Sequence, residues 1–142
     1  MPKLLVATFS ADDKAFIEQA INAGVDVRVL NCFEETQAKL RAWYPNHCLN
    51  VPAHRSTVKE AVQLSGFDVA VIRATADDFV KSALLTQTLR EARVNWVLVI
   101  AADPTRVSLY RRCGAHHVIL ESGAAEIWQE IAPFLSMHVT AS

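Results

Sequence analysis

Glycine is scarce in this chain, with four residues in 142. A phosphate-cradling loop of the G-x-G-x-x-G kind needs three glycines within six positions, and no window of the sequence supplies them. Cysteine is sparse and odd in number. Cys32, Cys48 and Cys113 lie in separate segments, so packed, reduced thiols are expected rather than a disulfide framework. Neither sign of charge dominates: 14 Lys and Arg stand against 15 Asp and Glu, for a net charge of −1. Without concentrated positive charge, a nucleic-acid or anionic-membrane surface is not expected. No apolar run approaches the ~20 residues of a membrane span, which argues against direct membrane insertion. The opening MPKLLVATFSADD holds an apolar run of only about six residues, short of a signal peptide's h-region, so a cytoplasmic protein is expected.

What the chain does have is apolar mass, 51% of its residues, enough for one domain with a full core. Six β-rich runs alternate with helical periods. The strand candidates are KLLVAT (3–8), DVRVLN (26–31), HCLNV (47–51), DVAVIRA (68–74), WVLVIA (96–101) and HVIL (117–120). Several are apolar on both faces, as strands of a helix-covered parallel sheet are. Helical stretches fall at 11–23, 34–43, 55–65, 77–92, 104–113 and 123–135. Gly24, Gly66 and Gly114 each follow a helix and precede a strand, as helix C-caps do, and Asp103-Pro104 reads as an N-cap with proline at the first helical position. Right-handed crossovers then give an α/β, doubly wound, three-layer domain over residues 1–137, with 138–142 a frayed tail. Two orders compete, the Rossmann 3-2-1-4-5-6 and the five-stranded flavodoxin-like 2-1-3-4-5. The short strand HCLNV, followed by its own helix, favours six strands.

The runs GFDVAVIRATADDFVKSALLTQTLRE and WVLVIAADPTRVSLYRRCGAHHVILES resemble the second half of an RCK N-terminal domain. This is the KTN or TrkA-N module of potassium-transport regulators and ligand-gated potassium channels. Thr75, Asp77 and Asp78 match its first signature, and Asp103, Pro104, Tyr110, Arg111, Arg112, Gly114, Ala115, Val118 and Ile119 its second. The first half agrees in spacing, so the resemblance spans nearly the whole chain. It implies a non-catalytic regulatory domain, a homodimer, and a potassium transporter or channel as partner. It also implies pairing through the sixth helix, with Ile127, Trp128, Ile131 and Phe134 as interface residues. Intramolecular core is the competing fate of that face.

The departures from the family pattern fall at its ligand site. Counting back from Gly24 puts the glycine motif on Thr8, Phe9, Ser10, Ala11, Asp12 and Asp13. Asn31 stands where an acidic residue would hold a ribose, Val51-Pro52 replaces a Gly-Asp pair, and Lys81 replaces an asparagine. Asp13 lies near the positive end of the first helix, where an anion would bind. A phosphate ~5 Å from that carboxylate is repelled by about 3 kcal/mol at an effective dielectric of 20. Ordinary NAD binding is therefore expected to be lost or weakened.

Other readings stay open. Thr8, Ser10, Asn31, Arg73 and Thr75 could accept an adenine nucleotide, and Arg55 with Arg73 and His54 could hold a carboxylate or phosphate. Alternatively Arg73 pairs with Asp12, Asp13 or Asp77 and fills the crevice. A phosphoacceptor receiver would need an aspartate where Arg73 stands and a lysine where Glu121 stands. No Tyr-x-x-x-Lys pair suggests a reductase, and no paired ligands suggest a metal. Cys32 reads as a packed thiol or a redox-exposed one.

Overall fold

The computed structural model describes residues 2–8, 10–74 and 79–140. Among them six strands run in parallel: β1 (Lys3–Ala7), β2 (Asp26–Asn31), β3 (Cys48–Asn50), β4 (Val69–Arg73), β5 (Trp96–Ala101) and β6 (His117–Leu120). Their order across the sheet is β3-β2-β1-β4-β5-β6, the six-stranded alternative. Six helices alternate with them: α1 (Lys14–Asn22), α2 (Gln37–Trp43), α3 (Arg55–Ser65), α4 (Phe79–Glu91), α5 (Val107–Cys113) and α6 (Ala124–Thr140). Three begin later than the periodicity indicates, because single 3-10 turns at Ala11–Asp13, Glu34–Thr36 and Pro104–Arg106 precede α1, α2 and α5. Asp103 caps the last of these turns by accepting from the Thr105 N–H at 2.9 Å. The sixth helix extends to Thr140, past the residue-135 end and into the stretch read as a tail.

The continuous apolar runs have the burial they predict. In β1, β4 and β5 successive side chains alternate between two cores, one on each face of the sheet. On one face Leu4, Val6, Val69, Val71, Leu98 and Ile100 pack under α1, α2 and α6. On the other Leu5, Ala70, Ile72, Val97 and Val99 pack under α3, α4 and α5. Gly114 ends α5 at φ 119°, a conformation side chains rarely adopt, and a Cβ there would meet Arg90 Cγ at 2.9 Å.

Helix α6 corrects the interface expectation. Ile127 and Ile131 are buried in the core beneath α6, alongside Phe16 and Ile17 of α1. Trp128 and Phe134 are partly buried against that same core, and the Phe134 ring lies 5.2 Å from that of Trp96. An i, i+4 apolar row must be covered by something, and here the sheet and α1 cover it.

Candidate functional site

In this topology ligands bind outside the carboxyl ends of the strands, where the order reverses between β1 and β4. The chain fills that position with its own ions. Asp13 precedes α1, and its carboxylate is fully buried. Arg73 ends β4 on the same face of the sheet as Val69 and Val71. Its Nε donates to both Asp13 oxygens at 2.8 Å, and Nη2 lies 2.6 Å from Oδ1. The Thr8 hydroxyl, just past β1, also donates to Asp13. A third group completes the cluster: Glu121, following β6, accepts from Arg73 Nη1 at 3.0 Å. Between Asp12 and Asp13, the two partners left open for Arg73 that lie within the described residues, Asp13 is the one observed. The Asp13 carboxylate thus faces a guanidinium, a hydroxyl and the positive end of α1. Burial, and then the Asp13 charge, push the nearby Tyr44 phenol up from its ordinary pKa.

The neighbouring candidates are tied into the chain's own backbone. Ser10 Oγ accepts from the Asp12 N–H at 3.1 Å and so caps the turn before α1. Asn31, buried at the end of β2, donates through Nδ2 to Asn50 Oδ1 at 2.9 Å and to the Gln37 carbonyl at 3.3 Å. It bridges β2 to β3 and to the start of α2. Its Oδ1 is buried without a partner among the described residues. Thr75, with Asp77 and Asp78, lies outside the described residues. The structure thus gathers Thr8, Ser10 and Arg73 around Asp13.

Arg55 goes elsewhere. It opens α3 on the opposite face of the sheet and pairs with Glu91 at 2.6 Å, so it shares no anion site with Arg73. There the sequence reading missed a recess of about 390 Å³ between α3, α4 and the carboxyl end of β2. Cys32, Phe33, Val58 and Leu85 line it, with His54, Arg55 and Lys81 also on its wall. Lys81 pairs with Glu35 at 3.0 Å and lies over the Phe33 ring at 4.4 Å. Burial pushes the Cys32 thiol up to about 11, which keeps it protonated and unreactive at neutral pH. The packed-thiol reading is the one its surroundings support. One signal for the recess was present in the sequence: Val80 and Leu84, one turn apart on α4, are apolar yet exposed.

No family model and no curated protein sequence matches the chain. Among solved structures, the TrkA-N domain of the inner membrane protein YbaL from Escherichia coli superposes with a TM-score of 0.61. The match has 14% identity and covers 94% of this chain and 96% of that one. The fold is that of a TrkA-N or RCK domain. The NAD(P)-binding domain of an exopolyphosphatase-related protein from Archaeoglobus fulgidus gives a TM-score of 0.66 at 18% identity, covering 96% of this chain and 99% of that one. The GsuK channel bound to NAD gives 0.60 at 14% identity, and there the match covers 83% of this chain but only 21% of the channel chain. In this chain the position beneath the N-terminus of α1 is taken by a buried carboxylate already neutralised by Arg73.

Proposed function

We propose that this chain is a non-catalytic regulatory domain of RCK type. In this reading ordinary NAD binding is lost or weakened, and the domain acts through dimerisation or through a protein partner, a potassium transporter or channel. The observation that supports it is the Asp13–Arg73 pair at the start of α1. An incoming pyrophosphate would have to displace the carboxylate from its guanidinium and leave it buried without a counter-ion, which is costly. Displacement of an ion pair, rather than bare repulsion, then opposes the phosphate.

Thermal-shift titration with NAD⁺, NADH, ATP, ADP and AMP tests this. A ligand at 100 times its dissociation constant stabilises by ~2.7 kcal/mol, several degrees in Tm for a domain of this size. NAD⁺ and NADH are expected to give no shift at millimolar concentration. A saturable shift with either would sink the proposal.

A second reading, an adenine nucleotide as ligand, is favoured by the recess beside Cys32 and Phe33, at the end of β2. A base could enter there without placing two phosphates on Asp13. A shift with AMP and none with NAD⁺ would distinguish this reading from the first.

A further inference from the structure

We infer that the recess between α3 and α4 is a binding site for a small amphipathic organic anion, an apolar body carrying one carboxylate. This inference is independent of the potassium-transport reading.

The chemistry of the wall carries it. The floor is aliphatic, from Val58 and Leu85, with Phe33 beside it. The volume of about 390 Å³ lies in the lower part of the ligand-pocket range, roughly 300–1,000 Å³. The charged groups on the wall are both cations, Arg55 and Lys81, with His54 next to Arg55. No carboxylate lines the recess among the described residues.

Each cation has an acidic partner, but those partners stand in solvent. Glu35 and Glu91 have side chains 66% and 46% exposed. Exposed ion pairs contribute little, because water and salt screen them. A ligand carboxylate could therefore take the place of Glu91 on Arg55 at small cost, with the glutamate returning to water and Lys81 adding positive charge to the wall. Asp13 is the opposite case, since its removal from Arg73 would strand a buried charge.

The apolar body has its own warrant. Val80 and Leu84 are 64% and 49% exposed, and both stand on the wall of the recess. An apolar ligand lying against them would remove that surface from water. The Cys32 thiol, kept neutral by burial, adds no competing negative charge at the inner wall.

The test is titration of the full chain with octanoate and with 3-phenylpropionate, read by calorimetry and by amide chemical shifts. 1-Octanol and AMP serve as controls. The two carboxylates separate an aliphatic from an aromatic body. Saturable binding of either is expected, with octanol weaker by about tenfold, the scale of one charged hydrogen bond. Shifts should centre on residues 32–33, 53–58 and 80–88. The Arg55→Gln and Lys81→Gln variants should each weaken the carboxylate without changing octanol affinity. The Arg55 side chain is half-exposed and that of Lys81 partly buried, so far-UV circular dichroism checks that both variants fold, and Arg55→Gln carries the test if Lys81→Gln does not. Val80→Asp supplies an independent arm, adding a like charge at the rim that should also weaken the carboxylate. No saturable binding, equal affinity for octanol and octanoate, or tighter binding of AMP than of either carboxylate would each overturn the inference. Because NAD⁺ binding is measured separately, failure here leaves the regulatory reading standing.

Discussion

The two faces of the sheet treat the same carboxyl edge in opposite ways. Beneath α1 the chain packs Asp13, Arg73 and Thr8 into a closed ionic corner. Between α3 and α4 it leaves an apolar recess whose cations pair outward with exposed glutamates. The same carboxyl edge thus closes over an ion pair on one face and stays concave on the other. The difference is one of burial. A carboxylate excluded from water fixes its partner, whereas one at the surface holds its partner only loosely.

The largest expected effect comes from breaking the closed corner. Asp13→Ala should destabilise the fold by about 3 kcal/mol, since Arg73, its side chain only 13% exposed, keeps only the half-exposed Glu121 as counter-ion. Urea unfolding measures this, and a loss under 1 kcal/mol would mean that the pair is as loose as a surface one. The comparison sharpens with the double variant Asp13→Leu/Arg73→Met. It removes both charges and should recover most of the loss.

On the open side, Leu85→Ala should cost about 2 kcal/mol, the low end for a buried leucine, because the side chain already borders free space. A cost above 4 kcal/mol would show a floor packed as tightly as the core. Smaller still, Arg55→Ala should change stability by less than about 1 kcal/mol, and 0.5 M salt should mask even that.

The smallest effect belongs to neither region. His116, before β6, accepts the Val97 N–H at Nδ1 at 2.9 Å and lies beside Arg90. Burial, and then the Arg90 charge, hold its pKa below the ordinary 6.5. The unfolded chain therefore takes up this proton first as pH falls. The stabilising contribution is fully present above 6.5 and is lost as pH drops from there through the lowered folded value. Urea midpoints at pH 7.5 and 5.5 should fall further for the wild type than for His116→Asn; equal falls would remove His116 as the source.

The fold was legible because its signal is redundant. Each of β1, β4 and β5 is apolar over four or more residues, and each is followed by a helical stretch, so strand and crossover repeat along the chain. The site was legible only in outline. The loss of the glycine turn is a matter of composition, but the choice of Asp13 over Asp12 depends on one 3-10 turn that points Asp13 inward and leaves Asp12 exposed. The pairing of Arg73 with Glu121 joins residues far apart in the chain and has no local pattern. At α6, the spacing of Ile127 and Ile131 fits a core or an interface equally, and packing against α1 decides it. Arg55 shows the same limit, since sequence places it at the end of a strand but does not fix the sheet face on which it lies.

The strand order also bears on how the molecule is made. Of the six strands β1 is made before the others, yet it pairs with β2 on one side and β4 on the other. At ~5–20 residues per second, β4 follows β3 by roughly 1–5 s. During that interval one edge of β1 has no neighbour. A nascent chain halted before Val69 should therefore present a sticky, chaperone-binding edge. Extension past Arg73 should close the β1 edge and pass the open edge to β4, which waits in turn for β5.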